Sequence, residues 1–134
     1  MIDIVHKHMD TPLHLASLYG HIDAVLLLIK HGAEVNEKND DGCTPLHMAS
    51  DSGHIIIIQL LIEHGADVNE KDYGGWTPLH WASCNGHTVA IQLLIVRGAD
   101  VNERGYGGCT PLCLASCRYH TDAMRLLEKY DAHE

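Results

Sequence analysis

A four-residue motif that recurs every 33 residues constrains this chain more than any other sequence feature. It reads Thr-Pro-Leu-His in three copies and Thr-Pro-Leu-Cys in the last, and the copies begin at Thr11, Thr44, Thr77 and Thr110. The flanking residues repeat in the same register, since an Ala-Ser pair and a Gly-His pair follow each of the first three motifs. Such a period is typical of repeat proteins, in which each unit stacks on its neighbours.

The chemistry of each unit predicts two short helices followed by a polar turn. Threonine is a favourable helix N-cap, and proline fits the first helical position, where its missing N–H costs no hydrogen bond. The first helix is predicted to end in the left-handed conformation at Gly20, Gly53 and Gly86. The second is predicted to end in the same way at Gly32, Gly65 and Gly98. One such unit cannot bury its apolar faces alone, so neighbouring units must stack.

These motifs resemble the ankyrin family, whose repeat has this length and a Thr-Pro-Leu-His type of signature. The resemblance implies an all-α fold, an ankyrin-repeat solenoid of helix-turn-helix units with β-hairpin loops. We place one domain over residues 1–134, with repeats at 6–38, 39–71, 72–104 and 105–134. End units of solenoids need a polar outer face. Because Arg125, Glu128 and Lys129 supply one, we expect a complete short stack or a compact piece bounded at natural ends.

Three residues replace a glycine of the pattern, and one of them is Asp131, which stands where earlier units end their second helix with glycine. Met9 stands where later units have Gly42, Gly75 and Gly108, so the first loop is predicted to be incomplete. Tyr119 stands where the other units end their first helix with glycine. A bulky residue in the left-handed region is strained by about 1 kcal/mol or more. Either the last turn has a different shape, or Tyr119 is retained to contact a partner.

Composition narrows the function. A net charge of −9 disfavours nucleic acid as a partner, because phosphate contacts need clustered Lys and Arg. No apolar run approaches the roughly eighteen residues of a membrane span, and the first residues lack the features of a signal peptide. The five cysteines are an odd number without a disulfide-framework spacing, so free thiols are predicted. We therefore expect an intracellular monomer that contacts neither membrane nor nucleic acid.

The twelve histidines suggest a metal site, but the repeat explains most of them. In the family, the motif histidine bonds to neighbouring backbone, a role that the resemblance carries to His14, His47 and His80. The histidines of the Gly-His pairs recur once per unit, so stacked copies about 8–10 Å apart cannot share one ion. No phosphate-binding loop, dinucleotide fingerprint, zinc-protease motif or nucleophile elbow occurs. We predict no metal, no cofactor and no enzymatic activity.

In the ankyrin family, loop tips and first helices line a concave face that holds partner proteins. Carried over to the variable positions of this chain, that face predicts partner contacts at Asp40, Asp41, Asp51, Ser52, Tyr73, Trp76, Asn85, Tyr106 and Arg118. Binding hot spots favour Trp, Tyr and Arg. Trp76 could equally cover the base of a loop, and we expect Trp81 to pack rather than to bind.

Charge is concentrated in the second unit, which carries six carboxylates and one lysine, a net −5 of the total −9. Three of these carboxylates fall on the predicted binding face: Asp40, Asp41 and Asp51. They would steer a partner with a basic surface towards this unit. The alternative is a solvated acidic face that only aids solubility.

The resemblance also implies a candidate modification. A Leu-x5-Asp/Glu-Val-Asn pattern, which an asparaginyl hydroxylase recognises in ankyrin repeats, ends at Asn36, Asn69 and Asn102. It is also the family consensus, so it indicates compatibility with the modification and no more. The sequence as a whole predicts a protein–protein interaction module. One alternative is a structural spacer within a larger assembly, and another is an engineered ankyrin scaffold, which irregular features such as Tyr119 disfavour.

Overall fold

The computed structural model describes residues 9–133, which form eight α-helices in four pairs. In chain order these are α1 (Pro12–Tyr19), α2 (Ile22–Lys30), α3 (Pro45–Ser52), α4 (Ile55–Glu63), α5 (Pro78–Cys84), α6 (Thr88–Val96), α7 (Pro111–Cys117) and α8 (Thr121–Lys129). Each predicted repeat contains one pair, although residues 6–8 of the first repeat lie outside the described residues. The predicted all-α solenoid is confirmed.

The loops that were predicted as β-hairpins contain no strand within residues 9–133. Each is a tight turn held by two backbone hydrogen bonds. The N–H of Asn39, Asp72 or Gly105 donates to the carbonyl four residues later, and its carbonyl accepts from the N–H of the glycine three residues later. Successive tips are joined, because the Tyr73 N–H donates to the Asp41 carbonyl at 3.0 Å. Both bonds lie within one five-residue turn, which is too short to count as a pair of strands.

The first helix of each unit begins as predicted. In α1, Thr11 Oγ1 accepts from the His14 N–H at 3.2 Å, and His14 Nδ1 accepts from the Thr11 N–H at 3.1 Å. This reciprocal cap is repeated in α3 and α5. In α7 only the first of these bonds is possible, since Cys113 has no ring nitrogen to return the second.

The glycine ends of the first helices are confirmed as left-handed, with φ of 78° at Gly20, 74° at Gly53 and 70° at Gly86. Tyr119 adopts φ 60°, so the idea that the last turn has a different shape is wrong. Space explains why a side chain is tolerated there. A Cβ on Gly53 would lie 2.8 Å from the ring of His87, whereas the Tyr119 side chain is 88% exposed.

The helices stack in two layers, with α1, α3, α5 and α7 in one and α2, α4, α6 and α8 in the other. The apolar core lies between them. The first layer supplies a row of buried leucines, Leu13, Leu46, Leu79 and Leu112, and the second supplies residues such as Ile58 and Leu94. Full burial of one such side chain contributes about 1.5–3 kcal/mol. No helix within residues 9–133 is long and apolar enough to cross a membrane.

Histidines tie each unit to the next, which confirms the predicted backbone role of the motif histidine. The Nε2–H group of His14 donates to the Cys43 carbonyl at 2.8 Å, and those of His47 and His80 donate to equivalent carbonyls one unit on. Burial is the main cause that lowers the pKa of His47 and His80 below the usual 6.5. The neutral ring fits these bonds, because its Nδ1 must accept while its Nε2 donates.

A second row of hydrogen bonds between units comes from the histidine of each Gly-His pair. His87, for example, donates its Nε2–H to the Asp51 carbonyl at 2.9 Å. Asparagines form a third row. Asn69 donates to the Gly98 carbonyl at 3.0 Å and accepts from the Asp100 N–H at 2.8 Å. Asn36 and Asn102 make the same pair of bonds to the segment one repeat later. The three candidate modification sites therefore bridge units.

Candidate functional site

Two adjoining depressions lie between the loops and first helices of units 2 and 3. The larger, of about 540 Å³, is lined by Asp40, Asp41, Cys43, Asp72, Tyr73, Gly74, Trp76 and Trp81. The smaller, of about 130 Å³, is lined by Asp41, Cys43, His47, Met48, Asp51 and Trp81. Three residues are common to both, so the depressions form one continuous surface, which we call the central groove.

The buried carboxylate of Asp72 organises the loop that carries one wall of the central groove. Its Oδ1 accepts from the backbone N–H groups of Gly74 and Trp76, both at 2.9 Å. Its Oδ2 accepts from the indole N–H of Trp81 at 2.9 Å. One side chain therefore fixes the turn and the orientation of an aromatic ring, which lowers the entropy that a ligand would otherwise have to remove.

The two tryptophans form an aromatic corner in the central groove. Their ring centroids lie 4.7 Å apart with the planes inclined at 65°, an edge-to-face arrangement that aromatic pairs favour. Trp76 also stacks on His80, with centroids 5.9 Å apart. A Cβ on Gly105 would lie 2.7 Å from the Trp76 ring. Trp76 therefore covers the base of the next loop and also lines the central groove. Trp81 lines the same groove and packs against Trp76.

The acidic wall of the central groove comes from unit 2. Asp40 and Asp41 are exposed at the loop tip, where Asn39 Oδ1 accepts from the Asp41 N–H at 2.9 Å. Asp51, at the end of α3, is held by the amide of Asn85, which donates to both its carboxylate and its carbonyl. Among the described residues that line either depression, none is a lysine or an arginine.

The thiol of Cys43 lies beside the buried carboxylate of Asp72, with its Sγ 3.7 Å from Asp72 Oδ2. Burial, with a further contribution from Asp72 and Asp41, raises the pKa of Cys43 to about 12. The thiol is therefore protonated at neutral pH and is a poor nucleophile. No disulfide bond joins any of the five cysteines, all of which lie within residues 9–133.

Five of the nine predicted contact residues line the central groove: Asp40, Asp41, Asp51, Tyr73 and Trp76. Three of the other four lie beside it. Asn85 holds Asp51, half-buried Ser52 ends α3, and Tyr106 donates its backbone N–H to the Gly74 carbonyl at 3.1 Å. Arg118 lies one unit further on, where its guanidinium is 3.4 Å from Cys84 Sγ.

Sequence reasoning missed Asp72, Met48 and the part that Trp81 has in the groove wall. Asp72 had a local signal, because an aspartate two residues before a Gly-Gly pair is typical of a turn in which its side chain caps the backbone. Met48 and Trp81 had no such local signal. Each only occupies the position after the motif histidine. Within residues 9–133 no group of three or more His, Cys, Asp or Glu side chains is placed to hold a metal ion.

Family models and known proteins match parts of this chain. A family model for ankyrin repeats (3 copies) matches residues 2–72, and one for ankyrin repeats (many copies) matches residues 51–95. Alpha-latrotoxin-Lg1a of Latrodectus geometricus is 48% identical over 42 residues, which are 31% of this chain and 3% of the toxin. An ankyrin repeat-containing protein of Schizosaccharomyces pombe is 34% identical, with 31% of this chain and 27% of that protein covered. The chain thus spans only a small part of these relatives.

Proposed function

Because the chain belongs to the ankyrin-repeat family, we propose that it is a protein-binding module that holds its partner on the face formed by the loop tips and first helices. Ankyrin repeats are generally protein–protein interaction modules, and the family is typically non-catalytic. The observation that carries the proposal for this chain is the central groove, which joins five predicted contact residues into one surface. In this proposal residues 1–134 act as one domain without enzymatic activity.

The aromatic side chains of the central groove support a binding role. Trp76 and Trp81 are half-buried, and Tyr73 is exposed at the rim. Such rings bury a large area on binding at a small cost in side-chain entropy, and hot spots are enriched in them. Asp40, Asp41 and Asp51 add negative charge, so the proposed partner presents a basic surface. We further propose that the chain works as a monomer inside the cell.

A structural spacer remains the second candidate, and the rows of hydrogen bonds between units favour it. Each unit bonds to the next through two histidines and one asparagine, as His47, His87 and Asn69 illustrate. Such a stack would hold two neighbouring structures at a fixed distance without using the groove. The two functions differ in where contacts with other proteins fall.

The test is site-specific photo-crosslinking in lysate, with p-benzoylphenylalanine at Tyr73 in one variant and at Ile56 in a matched control. The two side chains are similarly exposed, at 63% and 55%, but Tyr73 lies on the groove rim and Ile56 on the outer helix α4. We expect a covalent adduct with one partner from position 73 only. Excess unmodified chain should suppress this adduct, whereas excess of a folded Trp76→Ala variant should not.

The other outcomes are equally informative. Adducts from position 56 alone would place the binding surface on the outer helices and overturn the proposed face. An adduct of the chain with itself would contradict the monomer. Absence of adducts from both positions would favour the spacer.

We also propose that Asn36, Asn69 and Asn102 are substrates for asparaginyl hydroxylation, since each ends the recognition pattern. Their side chains bridge units, so the hydroxylase would act on a locally opened chain. Incubation with the hydroxylase followed by peptide mass spectrometry should show the gain of one oxygen at these positions. Unmodified peptides alongside a modified positive-control repeat would contradict the proposal.

A further inference from the structure

The turn that ends the first helix of each unit is also a contact between units. In units 1 to 3 this turn carries a glycine, and the histidine that precedes the second helix of the next unit packs its ring over that glycine. A Cβ added there would approach the ring to 2.7 Å at Gly20, 2.8 Å at Gly53 and 2.6 Å at Gly86. Non-bonded carbon atoms pack at about 3.5–4.0 Å. A side chain at this position would therefore exclude the next unit from the place that it takes in this stack.

Unit 4 carries a tyrosine at this position. Tyr119 has φ 60°, which is unfavourable for a residue with a Cβ, and its side chain is 88% exposed, so packing within the chain does not explain it. On the same face, Cys113 stands where His80 donates a hydrogen bond to the next loop. Glu128 is exposed where the Ile95 of unit 3 packs against the core. This face is therefore adapted to solvent, and Tyr119 adds bulk where a histidine ring would pack.

The opposite end of the stack keeps the residues of a contact between units. Among the described residues, unit 1 has a neighbouring unit on one side only. Leu27 is 57% exposed there, whereas the leucines at the same position of units 2 to 4 are half-buried. His21 is likewise exposed, whereas His54 and His87 each lie over a glycine of the preceding unit. Unit 1 is therefore suited to stack on the last unit of a second copy, if that copy offered a glycine in place of Tyr119.

We propose that Tyr119 keeps the chain monomeric, because its side chain occupies the space in which the His21 ring of a second copy would pack. Without this block, unit 1 of one copy would stack on unit 4 of another. Such a head-to-tail contact does not close and would join copies into open chains. This inference rests on the proposed monomeric state and gives it a cause. It does not depend on the central groove, since neither Tyr119 nor His21 lines that surface.

The test replaces the residues that distinguish the face of unit 4. The three-substitution variant Cys113→His/Tyr119→Gly/Glu128→Ile gives unit 4 the residues that unit 3 has at His80, Gly86 and Ile95. The matched control, Cys113→His/Glu128→Ile, keeps Tyr119. Sedimentation velocity at about 10–300 μM chain measures association, in reducing buffer that excludes disulfides between copies. We expect the three-substitution variant to form species larger than a monomer as concentration rises, whereas the wild type and the control stay monomeric.

Alanine at position 119 separates the bulk of the side chain from its polarity. In the three-substitution variant, Tyr119→Ala in place of Tyr119→Gly retains only the Cβ, which at the equivalent Gly86 would lie 2.6 Å from the next histidine ring. We expect association to be roughly tenfold or more weaker than with glycine. Equal association of the alanine and glycine variants would show that the block is not steric.

A second pair of variants locates the contact on unit 1. Leu27→Asp, added to the three-substitution variant, should weaken association roughly tenfold or more, because the contact would remove an unpaired carboxylate from water. Ile56→Asp is the matched control, since Ile56 is 55% exposed on α4 and Asp23 stands at the same position of unit 1. It should leave association unchanged. Equal effects of the two substitutions would contradict stacking through unit 1.

Three further results would overturn the proposal. The first is self-association of the wild type, and the second is equal association of the control that keeps Tyr119. The third is a three-substitution variant that stays monomeric although circular dichroism shows that it is folded. If that variant does not fold, Tyr119→Gly alone replaces it, because glycine relaxes the left-handed turn. This single variant should associate at the highest concentrations and Tyr119→Ala should not, and a monomeric Tyr119→Gly chain would again overturn the block.

Failure of this inference can be distinguished from failure of the protein-binding function. Sedimentation reports only on contacts between copies, whereas the cross-link from position 73 reports on the central groove. If the wild type associates with itself while position 73 still cross-links another protein, the block by Tyr119 is wrong and the binding face stands. If the three-substitution variant alone associates and position 73 yields no adduct, the block stands and the binding face is wrong.

Discussion

At the scale of single residues, the glycines of this repeat meet two different requirements. Gly53 and Gly65 both have positive φ, at 74° and 98°. A Cβ on Gly53 would collide with the ring of His87 at 2.8 Å, whereas nothing lies within 4 Å of a Cβ on Gly65. Tyr119 and Asp131 occupy the two equivalent positions of the last unit and keep positive φ. The conformation thus favours glycine at both positions without requiring it, whereas space requires glycine at only one.

The pair of variants Gly53→Ala and Gly65→Ala should separate these two requirements. Alanine in the left-handed region costs about 1–2 kcal/mol at either position. Gly53→Ala should lose roughly 1–3 kcal/mol more, because the His87 ring must move away from its bond to the Asp51 carbonyl. Urea unfolding of the two variants measures the difference. Equal losses would show that the contact with His87 has no energetic weight.

At the scale of the element, the stability of the first helices depends more on their capping residues and on the neighbouring units than on their length. They contain seven or eight residues, and isolated helices this short are marginal in water. A threonine cap and a proline begin each one, and the motif histidine both completes the cap and reaches the next loop, as His47 does. One side chain therefore couples helix formation to stacking.

This coupling predicts an acid-sensitive fold. Burial lowers the pKa of His47 and His80, so the unfolded chain takes up a proton near pH 6.5 while the folded chain stays neutral. Above about pH 7.5 both histidines are neutral in the folded and the unfolded chain, so the free energy of unfolding should not depend on them. It should fall as the pH drops below about 6.5 towards the pKa that these histidines have in the folded chain. Each histidine contributes at most about 1.4 kcal/mol per pH unit. Urea unfolding between about pH 5.5 and 7.5 measures the slope.

The control for this prediction is His47→Cys, which introduces the residue that stands at Cys113 in the last unit. The variant should be less stable at every pH, because the Trp76 carbonyl loses its donor. It should also have a shallower slope between pH 6.5 and 5.5, since one of the two shifted groups is gone. An unchanged slope would mean that His47 does not couple folding to pH.

At the scale of the whole molecule, the stack is held by contacts between adjacent units. First helices contact first helices of the next unit, and second helices behave likewise. Ion pairs join the loops in the same way, with Lys38 Nζ 2.8 Å from Glu70 and Lys71 Nζ 2.7 Å from Glu103. Stability of such a chain is approximately a sum of unit and interface terms. A defect in an inner unit should therefore weaken the units on both sides.

Leu79→Ala, in the third unit, tests this neighbour coupling. Leu79 is fully buried, so the cavity should cost about 2–5 kcal/mol. Hydrogen exchange should become faster in α3 and α7 as well as in α5, because both stack on α5. Leu27→Ala is the control, since Leu27 is 57% exposed and its loss should change stability by less than about 0.5 kcal/mol. Faster exchange confined to α5 would contradict the coupling.

The sequence by itself determined the repeat, the helix caps, the left-handed glycines and the backbone role of the motif histidine. These features depend on local chemistry that recurs every 33 residues, so four copies reinforce one interpretation. It also indicated five residues of the central groove through the family resemblance. The role of Asp72 could also have been predicted from the sequence, because the turn that it caps is formed by neighbouring residues.

Only the tertiary structure decided how these residues meet. Asp51 lies in the last turn of α3 in unit 2 and Trp81 lies in a helix of unit 3, so they share a depression only because the units stack. The same holds for the His87 ring over Gly53 and for the tolerance of a side chain at Tyr119. Contacts between units depend on the rotation and spacing of the stack. Those quantities arise from packing of the whole core, and no local pattern encodes them.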